Sequence, residues 1–122
     1  MPKVLVVDDE WMILDLLGEF LKGEGYEVES ALNWSEALAK LESGSPNIVL
    51  LDLKLGEEDG RGVLKQIRTK DPKLPVVMMS GIVDEDYWNE VKALGAVEHL
   101  VKPFELEQLK VLIENVLKRN LD

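Results

Sequence analysis

Ile48-Val49-Leu50-Leu51-Asp52 carries four apolar residues straight into one carboxylate. An apolar run this short, rich in branched side chains, reads as a strand buried on both faces. Its acid stands where such a strand leaves the core. The pattern occurs a second time at Val4-Leu5-Val6-Val7, which runs into Asp8-Asp9. Two such strands, side by side and parallel, bring three carboxylates to one edge of a sheet. Like charges at that spacing do not all stay ionised without a cation. The economical reading is a divalent metal site with one acid left over for chemistry.

Around these two strands the periodicity alternates between strand and helix. Lys3 to Val7 is the first strand. The acidic turn Asp8-Asp9-Glu10 opens a helix reaching about Lys22, with Ile13, Leu16, Leu17, Phe20 and Leu21 as its expected buried face and Trp11 opposite, beside the acids. Gly23 and Gly25 stop it. Glu27 to Ala31 alternates polar and apolar, as an edge strand does. Asn33-Trp34-Ser35-Glu36 is a capping-box-like start, followed by Ala37, Leu38 and Leu41 on one face. Ser43 to Asn47 reads as a turn.

After Asp52 comes a polar loop, Lys54 to Asp59, then a helix opened by Asp59-Gly60 with Val63, Leu64 and Ile67 inward. Val76 to Met79 is another doubly buried strand and ends in Ser80-Gly81. A fourth helix spans about Asp84 to Leu94, with Trp88, Val91 and Leu94 on one face. Val97 to Val101 is a mixed strand, ended by Lys102-Pro103-Phe104. The last helix runs from Glu105 to about Arg119. Leu106, Leu109, Ile113, Val116 and Leu117 form its core stripe, and Val111 lies on the far side.

Five strands alternating with five helices predict an α/β fold, a doubly wound parallel sheet with helices on both faces. The order 2-1-3-4-5 places the two mixed strands at the edges. It also makes the first and third strands neighbours at the topological switch point, where ligands bind beyond the carboxyl ends of strands. Asp8, Asp9 and Asp52 fall there, and Ser80 and Lys102 reach the same edge from the fourth and fifth strands.

The chain has 122 residues, a net charge of −10 and no cysteine. That length fits one domain, 1–122. The charge opposes direct nucleic-acid binding. The absent thiols exclude disulfides and fit a cytoplasmic location. No stretch is long and apolar enough to cross a membrane.

Mg2+ takes hard oxygen ligands and keeps several waters. Asp9 and Asp52 suit it as direct ligands, Asp8 directly or through water, and a loop carbonyl after Asp52 offers one more. Acids at strand ends also cap helices, where the macrodipole favours them, but three at one edge favour a cation. A carboxylate, a metal, the Ser80 hydroxyl and the Lys102 ammonium together suit a phosphoryl group, which Asp can take as an acyl phosphate. No Gly-rich phosphate loop follows the first strand. One histidine without cysteine excludes the common zinc and triad patterns.

These residues carry a resemblance that spans nearly the whole chain. Val6-Val7-Asp8-Asp9-Glu10, Leu51-Asp52-Leu53 with Asp59-Gly60, Met79-Ser80-Gly81, Gly95-Ala96, and Leu100-Val101-Lys102-Pro103-Phe104 occur in this order, each group at a strand end or turn. In this the chain resembles the receiver domain of bacterial two-component response regulators, of the chemotaxis-regulator type, a flavodoxin-like (βα)5 fold.

The resemblance implies that Asp52 accepts phosphate from a sensor histidine kinase or phosphotransfer protein. It implies that Asp8, Asp9, Asp52 and the Lys54 carbonyl hold Mg2+ (or Mn2+), that Lys102 and Ser80 contact the phosphoryl group, and that His99 follows Ser80 as the switch residue. It implies a cis Lys102-Pro103 bond. It also implies an output domain or effector partner, a homodimer formed on phosphorylation, and no enzyme activity beyond assisting phosphorylation and slow autodephosphorylation. The domain either stands alone or opens a longer regulator.

Departures from the family pattern are Ser80 in place of the more usual Thr, Leu55-Gly56 in place of Met-Pro with a more mobile loop expected, the bulky Trp11 at the rim, and His99 in place of Tyr or Phe. A degenerate receiver that never carries phosphate is the main alternative, although no acid, lysine or hydroxyl of the site is missing. A magnesium phosphatase of the aspartyl-phosphate type usually needs an acid two residues after the nucleophile, where Lys54 stands. A flavin-binding doubly wound domain lacks its phosphate loop.

Overall fold

The computed structural model describes residues 1–82 and 84–119. Its elements in chain order are β1 (Lys3–Val7), α1 (Trp11–Gly23), β2 (Glu27–Ala31), α2 (Trp34–Gly44), β3 (Ile48–Asp52), β4 (Lys54–Leu55), β5 (Glu58–Asp59), α3 (Gly60–Lys70), β6 (Val76–Ser80), α4 (Glu85–Ala93), β7 (Glu98–Val101) and α5 (Leu106–Arg119). The main sheet has the order β2-β1-β3-β6-β7, and all its pairs are parallel. Since β4 and β5 form a separate hairpin, this is the expected 2-1-3-4-5 arrangement.

Side chains alternate across each strand, so every central strand feeds two cores. Leu5, Val7, Val49, Leu51 and Met78 meet Ala37 of α2, Val63, Leu64 and Ile67 of α3, and Tyr87 and Val91 of α4. Val4, Val6, Ile48, Leu50, Val77 and Met79 meet Leu14, Leu17 and Leu21 of α1 and Leu109, Ile113 and Val116 of α5. All five residues of β3 are buried, as are all five of β6. Each such aliphatic side chain contributes about 1.5–3 kcal/mol by leaving water.

Four details differ from the sequence expectation. In α1 the buried face is Leu14, Leu17, Gly18 and Leu21, and Leu16 is exposed. Gly18 has no side chain to signal its position, yet it is buried on the face of the helix that meets Val28 of β2. Glu36 completes its cap on the amide of Leu32 rather than that of Asn33, while Asn33 accepts from the Glu36 amide. Helix α2 continues through Gly44, and the left-handed stop is Ser45, at φ 47°. Pro46 then prevents any return to helix.

The fourth difference lies beside the acids. Lys54 to Asp59, expected as an open polar loop, pairs with itself as the antiparallel β4–β5 hairpin, with Leu55 buried beneath it. Gly56, at φ 62°, supplies the left-handed residue of its turn. Helix α3 then starts directly against β3. A Cβ on Gly60 would lie 2.5 Å from the Asp52 carbonyl oxygen and 2.8 Å from the Leu53 Cα. Only glycine permits that approach, and it sets the path of the chain as it leaves Asp52.

Candidate phosphoacceptor site

Parallel register brings the acids together. Val7 pairs with Leu51, so Asp8 and Asp52 each follow one residue beyond a matched pair. One oxygen from each of Asp8, Asp9 and Asp52 lies within 4.8 Å of the others. Asp8 is fully buried, Asp52 is nearly so, and Asp9 faces solvent. The cluster is therefore open on one side.

Each acid has a defined neighbour. Asp8 Oδ1 accepts the Glu10 amide at 3.0 Å, and its Oδ2 accepts from Lys102 Nζ at 3.0 Å. The same ammonium lies 3.3 Å from Asp52 Oδ1. Asp9 Oδ2 accepts the Gly56 amide at 2.9 Å, which ties the hairpin to the site. Lys102 is held in turn by its own amide, which donates to the Ser80 carbonyl at 2.7 Å, and the Lys102-Pro103 bond is cis, as expected.

The electrostatics follow from burial and repulsion. Burial first, and the Asp8 charge second, push the Asp52 carboxyl up to about 6, against the opposing pull of Lys102 and the Lys54 backbone. Burial pulls the Lys102 ammonium down, but its bonds to Asp8 and the charge of Asp52 outweigh that, and it stays above the ordinary lysine value. One ammonium thus answers two buried carboxylates, with a third beside them. Oxygen donors with excess negative charge and an open side fit a hard divalent cation.

Ser80 is buried at the end of β6, and its Oγ lies 3.0 Å from His99 Nε2 and accepts the Ile82 amide at 3.2 Å. His99, half-buried on β7, packs edge-on against Tyr87 at 5.0 Å and is stacked against Trp88 at 6.0 Å between ring centroids. Burial lowers its imidazole below the ordinary histidine value. That favours the neutral ring and moves its titration to the acid side of the neutral range.

Asp8, Asp9, Asp52, Ser80 and Lys102 therefore lie at this edge and His99 directly behind it, with Lys54 opening β4 two positions after Asp52. Trp11 is exposed at the start of α1, as expected. Sequence reasoning missed Tyr87, which is buried although Trp88 is only half-buried. It also missed Arg61, whose guanidinium bonds Glu90 at 2.6 Å and lies 5.8 Å from the Tyr87 ring centroid. Two adjacent aromatics on a short helix offer no periodicity by which to rank them.

Residues 4–114 match the response regulator receiver domain family. The chain belongs to that family. This receiver is 35% identical over 115 residues to sporulation initiation phosphotransferase F of Bacillus subtilis, a match covering 94% of this chain and 93% of that protein. It is 38% identical to a probable transcriptional regulator, ycf27, of Porphyridium aerugineum, where the match covers 96% of this chain but only 48% of the relative. Among solved structures it is similar to the chemotaxis protein CheY4 of Vibrio cholerae, with a TM-score of 0.91 at 33% identity over 95% of this chain and 98% of that one. It is also similar to the receiver domain of NtrX from Brucella abortus, with a TM-score of 0.88 at 36% identity over 94% and 98%. The receiver is a signalling domain of two-component systems. No helix among its described residues is long and apolar enough to cross a membrane.

Proposed function

We propose that this receiver, residues 1–122 acting as one unit, is a phosphoacceptor switch. The phosphorylated histidine of a sensor kinase or phosphotransfer protein is the donor, and Asp52 is the acceptor. A carboxylate oxygen of Asp52 attacks phosphorus, the P–N bond breaks, and its electron pair returns to the imidazole of the donor. The observation that carries this reading is the placement of Asp52: buried, within 4.8 Å of two other acids, and 3.3 Å from the Lys102 ammonium.

Each neighbour has a task. Asp8, Asp9 and Asp52, with the Lys54 carbonyl, are the residues that would hold Mg2+ (or Mn2+), which when bound supplies positive charge against the phosphoryl oxygens. Lys102 supplies a second positive charge at those oxygens. Ser80 offers its hydroxyl to them. Gly60 leaves no room for a side chain against the backbone of Asp52 and Leu53, so the acceptor strand ends in one fixed geometry.

Beyond assisting its own phosphorylation and slow autodephosphorylation, the domain performs no turnover. Its output is a shift between two conformations, read by an effector or output domain or by a second copy of the receiver. A cytoplasmic site of action completes the reading. The test is intact-mass spectrometry after incubation with acetyl phosphate and Mg2+. The parent gains one phosphoryl group, and neither Asp52→Asn nor the parent in excess chelator does so. A parent that gains nothing, while folded and supplied with the metal, refutes the reading.

A further inference from the structure

Of the three acids in the site, Asp9 has the least to hold it. Asp8 is buried and bonded to the Glu10 amide and to Lys102, and Asp52 is buried against the same ammonium. Asp9 faces solvent. Its side chain has one hydrogen bond among the described residues, from the Gly56 amide to Oδ2 at 2.9 Å. Without it, an exposed carboxylate samples several rotamers, and an ion that binds there has to supply the cost of ordering it.

The donor belongs to a turn that is itself fixed. Leu55 and Glu58 are the last paired residues of the β4–β5 hairpin, so Gly56 and Glu57 form its two-residue loop. Gly56 is left-handed, at φ 62°, and Glu57 is not, the pattern in which glycine takes the first loop position. Lying between the paired residues, the Gly56 amide has no partner in the ladder. The hairpin is anchored elsewhere: Leu55 is buried beneath it, and Glu58 Oε1 accepts the Trp34 amide at the start of α2, at 3.1 Å. The amide is therefore the fixed partner and the Asp9 carboxylate the movable one.

We propose that Gly56 is a positioning residue for the divalent cation: its amide holds Asp9 through Oδ2 and leaves Oδ1 for the ion. This rests on the reading of Asp8, Asp9 and Asp52 as metal ligands. An ionised carboxylate accepts at both oxygens, so amide and ion are served together. Hydrogen bonds that orient a metal's ligands strengthen its binding. The turn asks two things of residue 56, a left-handed backbone and an N–H. A Cβ there would meet open space, so conformation alone opposes a side chain. Asparagine enters the left-handed region at small cost and keeps the N–H. Proline, the residue that Gly56 replaces in the family pattern, has no N–H to give. The departure that suggests a looser loop in the sequence thus supplies a tie to the site.

Mg2+ titration of the full chain, followed by amide NMR, tests this. Gly56→Pro binds Mg2+ about 10-fold more weakly than the parent, whereas Gly56→Asn stays within about 3-fold of it. In the Asp9→Ala background the proline substitution costs less than about 2-fold, since the carboxylate through which it acts is gone. One measurement needs no variant. The coupling across the hydrogen bond between the Gly56 nitrogen and the Asp9 carboxyl carbon is present in chelator and persists at saturating Mg2+. The positioning role is overturned if folded Gly56→Pro binds as tightly as the parent, or if Gly56→Asn binds as weakly as Gly56→Pro. It is equally overturned if the loss persists without Asp9, or if the coupling vanishes as the ion binds. A folded parent that binds no Mg2+ instead overturns the reading of the metal site itself.

Discussion

The half of the pocket built by β1 and the β3–α3 connection is held differently from the half built by β6, β7 and α4. In the first half the polar groups are fixed by the backbone. Asp8 takes the Glu10 amide, Asp9 takes the Gly56 amide, and Gly60 presses α3 against the end of β3. In the second half a single hydroxyl joins Ser80 to His99, and the buried phenol of Tyr87 has no hydrogen-bond partner within bonding distance among the described residues. On the proposed reading, the charge that would meet a metal and a phosphoryl group sits on a frame tied down by backbone amides. A side held by few fixed hydrogen bonds is where a modest perturbation can change a population.

The fixed half should respond most strongly to substitution. Lys102→Ala leaves the fully buried Asp8 facing Asp52 without the ammonium. It should slow phosphorylation by acetyl phosphate about 100-fold and, in chelator, destabilise the protein by about 3 kcal/mol in urea unfolding. Gly60→Ala should cost about 2 kcal/mol despite its better helix propensity, because its Cβ would meet the backbone of Asp52 and Leu53. Equal stability of that variant and the parent would show that the end of β3 yields more than the geometry implies.

A gain in stability is expected at the acceptor itself. The Asp52 carboxyl is pushed from an ordinary 3.8 up to about 6 by burial and by Asp8. Between those values the folded protein holds a proton that the unfolded chain has released. Stability from this group is therefore greatest below pH 4 and declines as pH rises through about 6. Asp52→Asn removes the repulsion, so in metal-free buffer at pH 8 it should be more stable than the parent by about 1–2 kcal/mol, with the gap closing toward pH 4. The smallest effect belongs to the second half: Tyr87→Phe deletes an unpaired hydroxyl and should raise stability by about 1 kcal/mol, measurable as a shift of the urea midpoint.

Much of this was legible in the sequence because buried parallel strands write continuous apolar runs. Ile48 to Leu51 and Val76 to Met79 announced the centre of the sheet, and the polar alternation of Glu27 to Ala31 announced an edge. The acids, Ser80 and Lys102 were legible because each stands at the carboxyl end of such a run. Leu14 was passed over for Leu16 because Leu17 and Leu21 satisfy two helical stripes, and Gly18 gives no apolar signal for the correct one. The 54–59 hairpin is only two residues deep on each side, too short for any periodicity. Tyr87 and Arg61 act through distances between α3, α4 and β7, and those distances exist only once the chain has folded.

The most direct measurement places the phosphate on the chain. After phosphorylation with acetyl phosphate and Mg2+, borohydride reduction converts an aspartyl phosphate to homoserine, and peptide sequencing locates it. The account predicts homoserine at position 52 alone. Homoserine at position 8 or 9 instead, or an unmodified residue 52 in a chain that has gained a phosphoryl group, would contradict it.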